Sequence, residues 1–263
     1  MIADPWFAYL RSRNRSPGTF ASYRSVMRAY EAAVGDPLTA TVEDAARWWD
    51  TLDRRTPAAR SRSLSVVRSY YTWAMRHDLI DTTPLRRLDA PSLGHRLPQP
   101  VNRADWLTIL AGTEGELRRA VCLGAYAGLR VAEAAHLHWS HVDTDARRLI
   151  VRHGKGDKDR VVGMSVLLVD ELLPNTGGNV VTGTHHEYSP NALQQRVNAH
   201  LKALGVEGTF HKLRARFATQ ALAHTGNLLA VSRALGHSSP SVTARYAATS
   251  DADLDLIAEA ATR

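Results

Sequence analysis

A predominantly helical chain of two domains, the second carrying one small β-hairpin, is the fold class this sequence predicts. Three observations carry the prediction. Apolar residues recur at helical period through residues 5–77, and again in most of residues 103–260. Residues 90–100 hold three prolines and a glycine and cannot continue a helix or a strand. β-Branched residues gather on both sides of a Gly/Asp-rich tip at 149–163, as in a hairpin. A chain of 263 residues is long enough for two such domains. The expected division is a helical domain over 1–89, a linker over 90–100 and a second domain over 101–263.

The first domain reads as four helices. Pro5–Arg13 carries an apolar stripe of Trp6, Phe7 and Leu10. Ser16-Pro17 opens the second, a cap followed by proline at the first helical position, and Gly35 stops it. The third starts at Thr41 with Asp44 three residues on, a capping-box variant, and buries Ala45, Trp48, Trp49 and Leu52. The fourth spans Pro57–His77, with Leu64, Val67, Tyr70 and Tyr71 inward. In the second domain, helices are expected at Arg103–Ala111, Glu114–Ala127 and Val131–Trp139. The hairpin strands are Leu149–Arg152 and Arg160–Gly163, and further helices follow at Pro190–Leu204, Lys212–Ala223, Leu228–Leu235 and Ser239–Ala247. Asp251–Ala260 closes the chain as an amphipathic helix with Leu254, Ile257 and Ala258 on one side.

Charge narrows the function. The net charge is +7, with +5 in residues 1–100 and an acidic tail after residue 250, which favours a polyanionic partner. Arginines outnumber lysines 29 to 4, and arginine is the better phosphate fork, although a GC-rich genome gives the same bias. Arg11, Arg13, Arg15, Arg24, Arg28, Arg60, Arg62 and Arg68 mark the outer faces of the first domain. A solvated charged face is the ordinary reading of such residues. The one-sided sign, with no acid between Arg54 and Arg76, favours contacts to a DNA backbone. The single cysteine, Cys122, excludes an internal disulfide framework and fits a reducing, cytoplasmic compartment. No secretory signal pattern opens the chain, and no apolar run is long enough to span a bilayer. The close histidine pairs His136/His138 and His185/His186 lack the company of a metal site, and there is no phosphate-binding Gly-x4-Gly-Lys-Ser/Thr loop. Neither metal nor other cofactor is expected.

The stretch 211–246 concentrates chemistry. His211 and Arg214 are three apart, on one helix face; His237 follows in Leu-Gly-His, and Tyr246 comes nine residues later. Alone, this stretch reads equally as a basic helical hairpin or as the parts of a phosphate site. Two further motifs decide between them: Ala127-Gly-Leu-Arg130-Val-Ala-Glu133, and Gly154-Lys155-Gly-Asp-Lys-Asp-Arg160. In this order the three resemble the motifs of the tyrosine recombinases, the phage integrases and Xer-type recombinases. The motifs cover residues 101–250, and residues 1–89 look more loosely like the helical core-binding domain of such proteins.

The resemblance implies a two-domain clamp on duplex DNA, cleaving and rejoining strands through a 3′-phosphotyrosine with Tyr246 as nucleophile. The chemistry asks for the same residue types independently. A phosphorane develops charge that Arg130 and Arg214 can clamp bidentately, with His237 as a further donor. Tyrosine, with an ordinary pKa near 10, must lose a proton, for which His211 is the candidate acceptor. Lys155 is the candidate general acid; Lys158 is its rival on the same tip, and the family pattern favours the lysine directly after the first glycine. Glu133 supports the site by orienting the arginine or His211.

The resemblance further implies double-stranded core or attachment sites as partners, a homotetramer on DNA, and a directionality factor in some systems. The terminal helix packs in cis or docks in trans. A simple phage or mobile-element integrase without an arm-binding domain is the expectation. Xer-type multimer resolution, or a non-catalytic DNA-binding accessory role, are the alternatives.

Overall fold

A computed structural model describes residues 3–13, 17–94, 99–152, 159–173, 177–182, 187–237 and 239–244. Lys155, Lys158 and Tyr246, together with Arg15 and the expected helix at 251–260, lie outside the described residues. The chain is mostly helical and divides into two compact units, Met1–His95 and Arg96–Arg263.

The first unit holds helices α1 (Asp4–Ser12), α2 (Pro17–Val34), α3 (Val42–Asp50) and α4 (Pro57–Arg76), then a 3-10 turn at Pro84–Arg87. Local rules set the boundaries. Thr41 and Asp44 close the expected capping box on α3, and Thr56 caps α4 ahead of Pro57. The inward stripes meet in an aromatic core of Trp6, Phe7, Tyr30, Trp48, Tyr70 and Tyr71. Tyr30 lies edge-on to Trp48 with ring centroids 4.8 Å apart, the arrangement the ring quadrupoles favour. The Tyr30 and Tyr71 hydroxyls bond each other at 2.7 Å, and Tyr71 also donates to the Pro37 carbonyl at 2.8 Å. These buried polar atoms are thereby satisfied.

The second unit opens with α5 (Arg103–Gly112) and α6 (Gly115–Ala127), followed by α7 (Val131–Ala135). The expected helix over Val131–Trp139 is therefore shorter than its pattern. After Ala135 the chain leaves the helix to pair with residues 178–180: Val180 N–H donates to the Leu137 carbonyl at 2.7 Å, and Trp139 N–H to the Gly178 carbonyl at 2.9 Å. A three-stranded antiparallel sheet follows, β1 (Val142–Asp143), β2 (Arg148–Val151) and β3 (Arg160–Gly163), in that spatial order. β2 and β3 are the expected hairpin; the two-residue β1 and the helix α8 (Val166–Leu172) are additions to the sequence reading. Leu149, Val151 and Val162 point into the core while Ile150 and Val161 face out, the alternation of a half-buried sheet.

The remaining helices are α9 (Pro190–Ala203), α10 (Phe210–Thr225), α11 (Leu228–Leu235) and α12 (Pro240–Ala244). α10 packs along α6, with Gly124 of α6 facing Phe210 and Leu213 closely enough that a Cβ would meet Leu213 at 3.2 Å. That packing sets His211 and Arg214 beside the end of α6. Among the described residues no helix is long and apolar enough to cross a membrane.

Candidate active site

Two helices end by the same device, and the site is built on their ends. α6 stops at Gly128 and α11 at Gly236, each in the left-handed conformation with φ of 64°. His237 N–H reaches back to the Ser232 carbonyl at 3.0 Å, the long-range bond of a Schellman turn, while at the end of α6 the N–H groups of Gly128 and of Leu129 (3.2 Å) both reach back to the Leu123 carbonyl. Each turn reverses the chain and throws the next residues, Arg130 and His237, toward one place. Space favours glycine at both as well. A Cβ on Gly128 would lie 2.5 Å from Phe217, and one on Gly236 3.1 Å from the Arg160 guanidinium.

The ends of helices leave carbonyl oxygens unmatched and carry the negative pole of the dipole. Three arginines take up the last three carbonyls at the end of α11. Arg160 Nε donates to Ala234 at 2.8 Å, Arg214 Nη2 to Leu235 at 2.6 Å and Arg130 Nη2 to Gly236 at 2.9 Å. Arg214 Nη1 donates to the Gly128 carbonyl as well, so this one side chain joins the two glycine turns.

Glu133 sits among the three guanidiniums. Its Oε2 accepts from the Arg130 backbone N–H at 2.7 Å and its Oε1 from Arg130 Nη1 at 2.8 Å. Arg160 forks onto both oxygens, at 2.7 and 2.8 Å, and Arg214 Nη1 stands 3.8 Å from Oε2. Burial alone would raise the Glu133 carboxyl. The Arg160 fork, the Arg130 N–H and the two positive charges outweigh it and hold the pKa at about 2. Glu133 is thus a fixed anion that orients arginines and moves no proton near neutral pH.

Side-chain exposure separates the roles further. Arg214, Glu133 and Arg160 keep only 4%, 5% and 10% of their side-chain surface, whereas Arg130 keeps 28%. Arg130 therefore presents the open edge of the cluster. His211, one turn before Arg214 on α10, is exposed at its rim. Atoms packed around the rest of the ring, then the charges of Arg214 and Arg130, push its pKa below the ordinary histidine value. At neutral pH it is uncharged and able to accept a proton. His237 is half-buried, and its Nδ1 lies 2.7 Å from the hydroxyl of Thr243, a fully buried residue of α12. That bond fixes the ring and ties it to the segment that runs on toward residue 246.

Arg130, Glu133, His211, Arg214 and His237 thus converge around the turns of α6 and α11. Sequence reasoning missed Arg160 and Thr243 as members. Arg160 was in plain view as the last residue of the Gly154–Arg160 motif, and Thr243 lies between His237 and Tyr246; nothing local marks either as turned inward.

Of the arginines of the first unit, Arg11 and Arg28 are exposed. Arg24 lies over the Phe7 ring at 5.4 Å and Arg60 over Trp49 at 4.4 Å, with Asp53 paired to Arg60 at 2.9 Å. Arg13 donates to the Tyr9 hydroxyl at 3.1 Å, Arg62 to Ser22 at 2.8 Å, and Arg68 to the Leu88 carbonyl. Among the described residues no three His, Cys, Asp or Glu side chains gather as a metal site.

Comparison with known proteins adds five findings. Residues 106–253 match the phage integrase family, and residues 3–78 match the phage integrase N-terminal SAM-like domain. Tyrosine recombinase XerC of Xanthomonas campestris pv. campestris is 31% identical over 266 aligned positions, covering 92% of this chain and 82% of that protein. A lambda integrase dimer bound to a COC' core site shares the fold with a TM-score of 0.77 at 20% identity, covering 93% of this chain and 75% of that one. A lambda integrase tetramer bound to a Holliday junction gives a TM-score of 0.75 at 19% identity, covering 91% and 77%.

Proposed function

The chain belongs to the phage integrase family of tyrosine recombinases, which cleave and rejoin DNA at specific sites, and we propose that it does so through a 3′-phosphotyrosine made by Tyr246. The observation that carries this reading is the convergence of Arg130, Arg214, His211 and His237 on the two glycine turns, with Thr243 linking His237 to the segment leading to Tyr246. Tyr246 gives its proton to His211 and attacks the scissile phosphorus, and the bond to the 5′ oxygen breaks. Arg130 and His237 face the non-bridging oxygens of the phosphorane, and Arg214 adds its charge from behind. Lys155 protonates the leaving 5′ oxygen. Rejoining runs the same steps backwards, and the phosphotyrosine conserves the energy of the bond.

The exposed arginines of the first unit contact DNA phosphates and set position rather than sequence. Both units contact duplex core sites, and four chains work together on two sites, a reading supported by the lambda integrase tetramer. The role is integration or excision of a phage or mobile element. A second reading, Xer-type multimer resolution, draws on the 31% identity to XerC over most of the chain. A repeated attachment site in the DNA flanking the gene supports the first role, and its absence the second.

The test of the nucleophile uses nicked duplexes whose core is selected from a random pool by covalent capture on the unaltered chain. The unaltered chain is expected to give a denaturant-resistant adduct and Tyr246→Phe none. An adduct formed by Tyr246→Phe rejects the assignment.

A further inference from the structure

Arg160 lies on β3 opposite Val151, the pair of the hairpin ladder nearest its turn. An arginine on a two-faced hairpin ordinarily spreads into solvent; this one is turned inward, with one tenth of its side chain exposed. Its Nη1 and Nη2 each take one oxygen of Glu133, and its Nε takes the Ala234 carbonyl. The stem and head also lie against Gly236, where a Cβ would meet Nη1, Cδ and Cζ at 3.1, 3.2 and 3.3 Å.

An ionised carboxylate offers about four lone-pair positions. On Glu133, Arg160 fills two, the Arg130 N–H a third and Arg130 Nη1 the fourth. Without Arg160, the natural geometry for Arg130 is a two-pronged fork onto Glu133, the preferred arrangement of a guanidinium and a carboxylate. That fork would draw the Arg130 head into the protein. With Arg160 in place, the Arg130 guanidinium reaches Glu133 through Nη1 alone and leans its Nη2 on Gly236.

We infer that Arg160 is a positioning residue of the phosphate clamp: by saturating Glu133 and bracing the end of α11, it holds Arg130 and the Gly236–His237 turn toward the scissile phosphate. The inference rests on the reading above, in which Arg130 and His237 face that phosphate. Arg160 touches no reacting atom. Lysine cannot replace it, because one ammonium cannot span both Glu133 oxygens and the Ala234 carbonyl in the planar pattern of a guanidinium.

The experiment measures single-turnover adduct formation at saturating protein on the selected duplexes, with the unaltered chain, Arg160→Lys, Arg160→Gln and Arg130→Ala. Adduct formation by the unaltered chain tests the site reading by itself; the variants tested against it report on Arg160. Thermal unfolding identifies the variant, Lys or Gln, that folds as the unaltered chain does. That variant is expected to bind DNA normally and to cleave on the order of 100-fold more slowly, as for a small misplacement of a reacting group.

A second substrate carries a methylphosphonate at the cleaved position, which removes one charged non-bridging oxygen and with it much of the need for the clamp. There the defects of the Arg160 variant and of Arg130→Ala are both expected to shrink. A normal cleavage rate for Arg160→Lys, or an Arg160 defect equal on the two substrates, overturns the inference. Equality would mean that Arg160 serves the fold or another step.

Discussion

Arginine stands outside the core in one unit of this protein and inside it in the other. In residues 3–94 the interior is aromatic and neutral, and the buried hydroxyls of Tyr30 and Tyr71 satisfy each other and a carbonyl. Arg11 and Arg28 stay in solvent, while Arg24 and Arg60 cover the edges of that core by lying on Phe7 and Trp49. In the second unit Arg160 and Arg214 are turned inward, where charge is costly unless its donors are met. They are met by one carboxylate and by the carbonyls at the ends of two helices. The difference teaches that a buried cation cluster needs acceptors that cannot move away, and helix ends stopped at glycine supply them.

Removing the central acceptor should break the comparison most strongly. Glu133→Ala leaves inward arginines without their carboxylate and is expected to destabilise the second unit by about 3–5 kcal/mol, read by denaturant unfolding, with hydrogen-exchange protection in residues 17–94 unchanged. A loss too small to measure would mean that these arginines are as well solvated as those of the first unit.

Acid should dissolve the same contacts by degrees. The Glu133 carboxyl is held at about 2 in the fold against an ordinary value of 4.5. Its folded value is the lower one, so its contribution is complete above the ordinary value and drains away as pH falls from there toward 2. Unfolding free energy measured across that range should fall more steeply for the unaltered chain than for Glu133→Gln. Parallel curves would show that the carboxylate is not what acid attacks.

The smallest effect on stability belongs to the exposed arginines. Arg28→Ala should change stability by no more than about 0.5 kcal/mol. Its effect should appear in DNA affinity instead, with the slope of log affinity against log salt reduced by about 1. A marked loss of stability with an unchanged slope would put Arg28 among the structural arginines.

Much of the frame is legible from neighbours in the chain. The Thr41–Asp44 box, Thr56-Pro57 at the head of α4 and the glycine after α6 and α11 are local signals, and the helices begin or end on them. The residue types that converge on the candidate site were legible too, as the forks, donors and base that charge developing on phosphate oxygens asks for. The path after Ala135 was not. The apolar pattern runs on to Trp139, but pairing with residues 178–180 breaks the helix, and a partner forty residues away leaves no mark on that pattern. α8 escaped because Val166-Leu-Leu-Val is too short an apolar run to separate helix from strand.

The sequence by itself determined where most helices start and stop, that the chain carries a surplus of arginine, and which residue types are offered to a phosphate. Tertiary structure alone decided which arginines turn inward. Arg160 meets Glu133 across 27 residues and Ala234 across 74, and Arg130 meets Gly236 across 106. Periods of two and 3.6 residues describe what a side chain does relative to its neighbours. They carry no record of the acceptors that the fold brings to it.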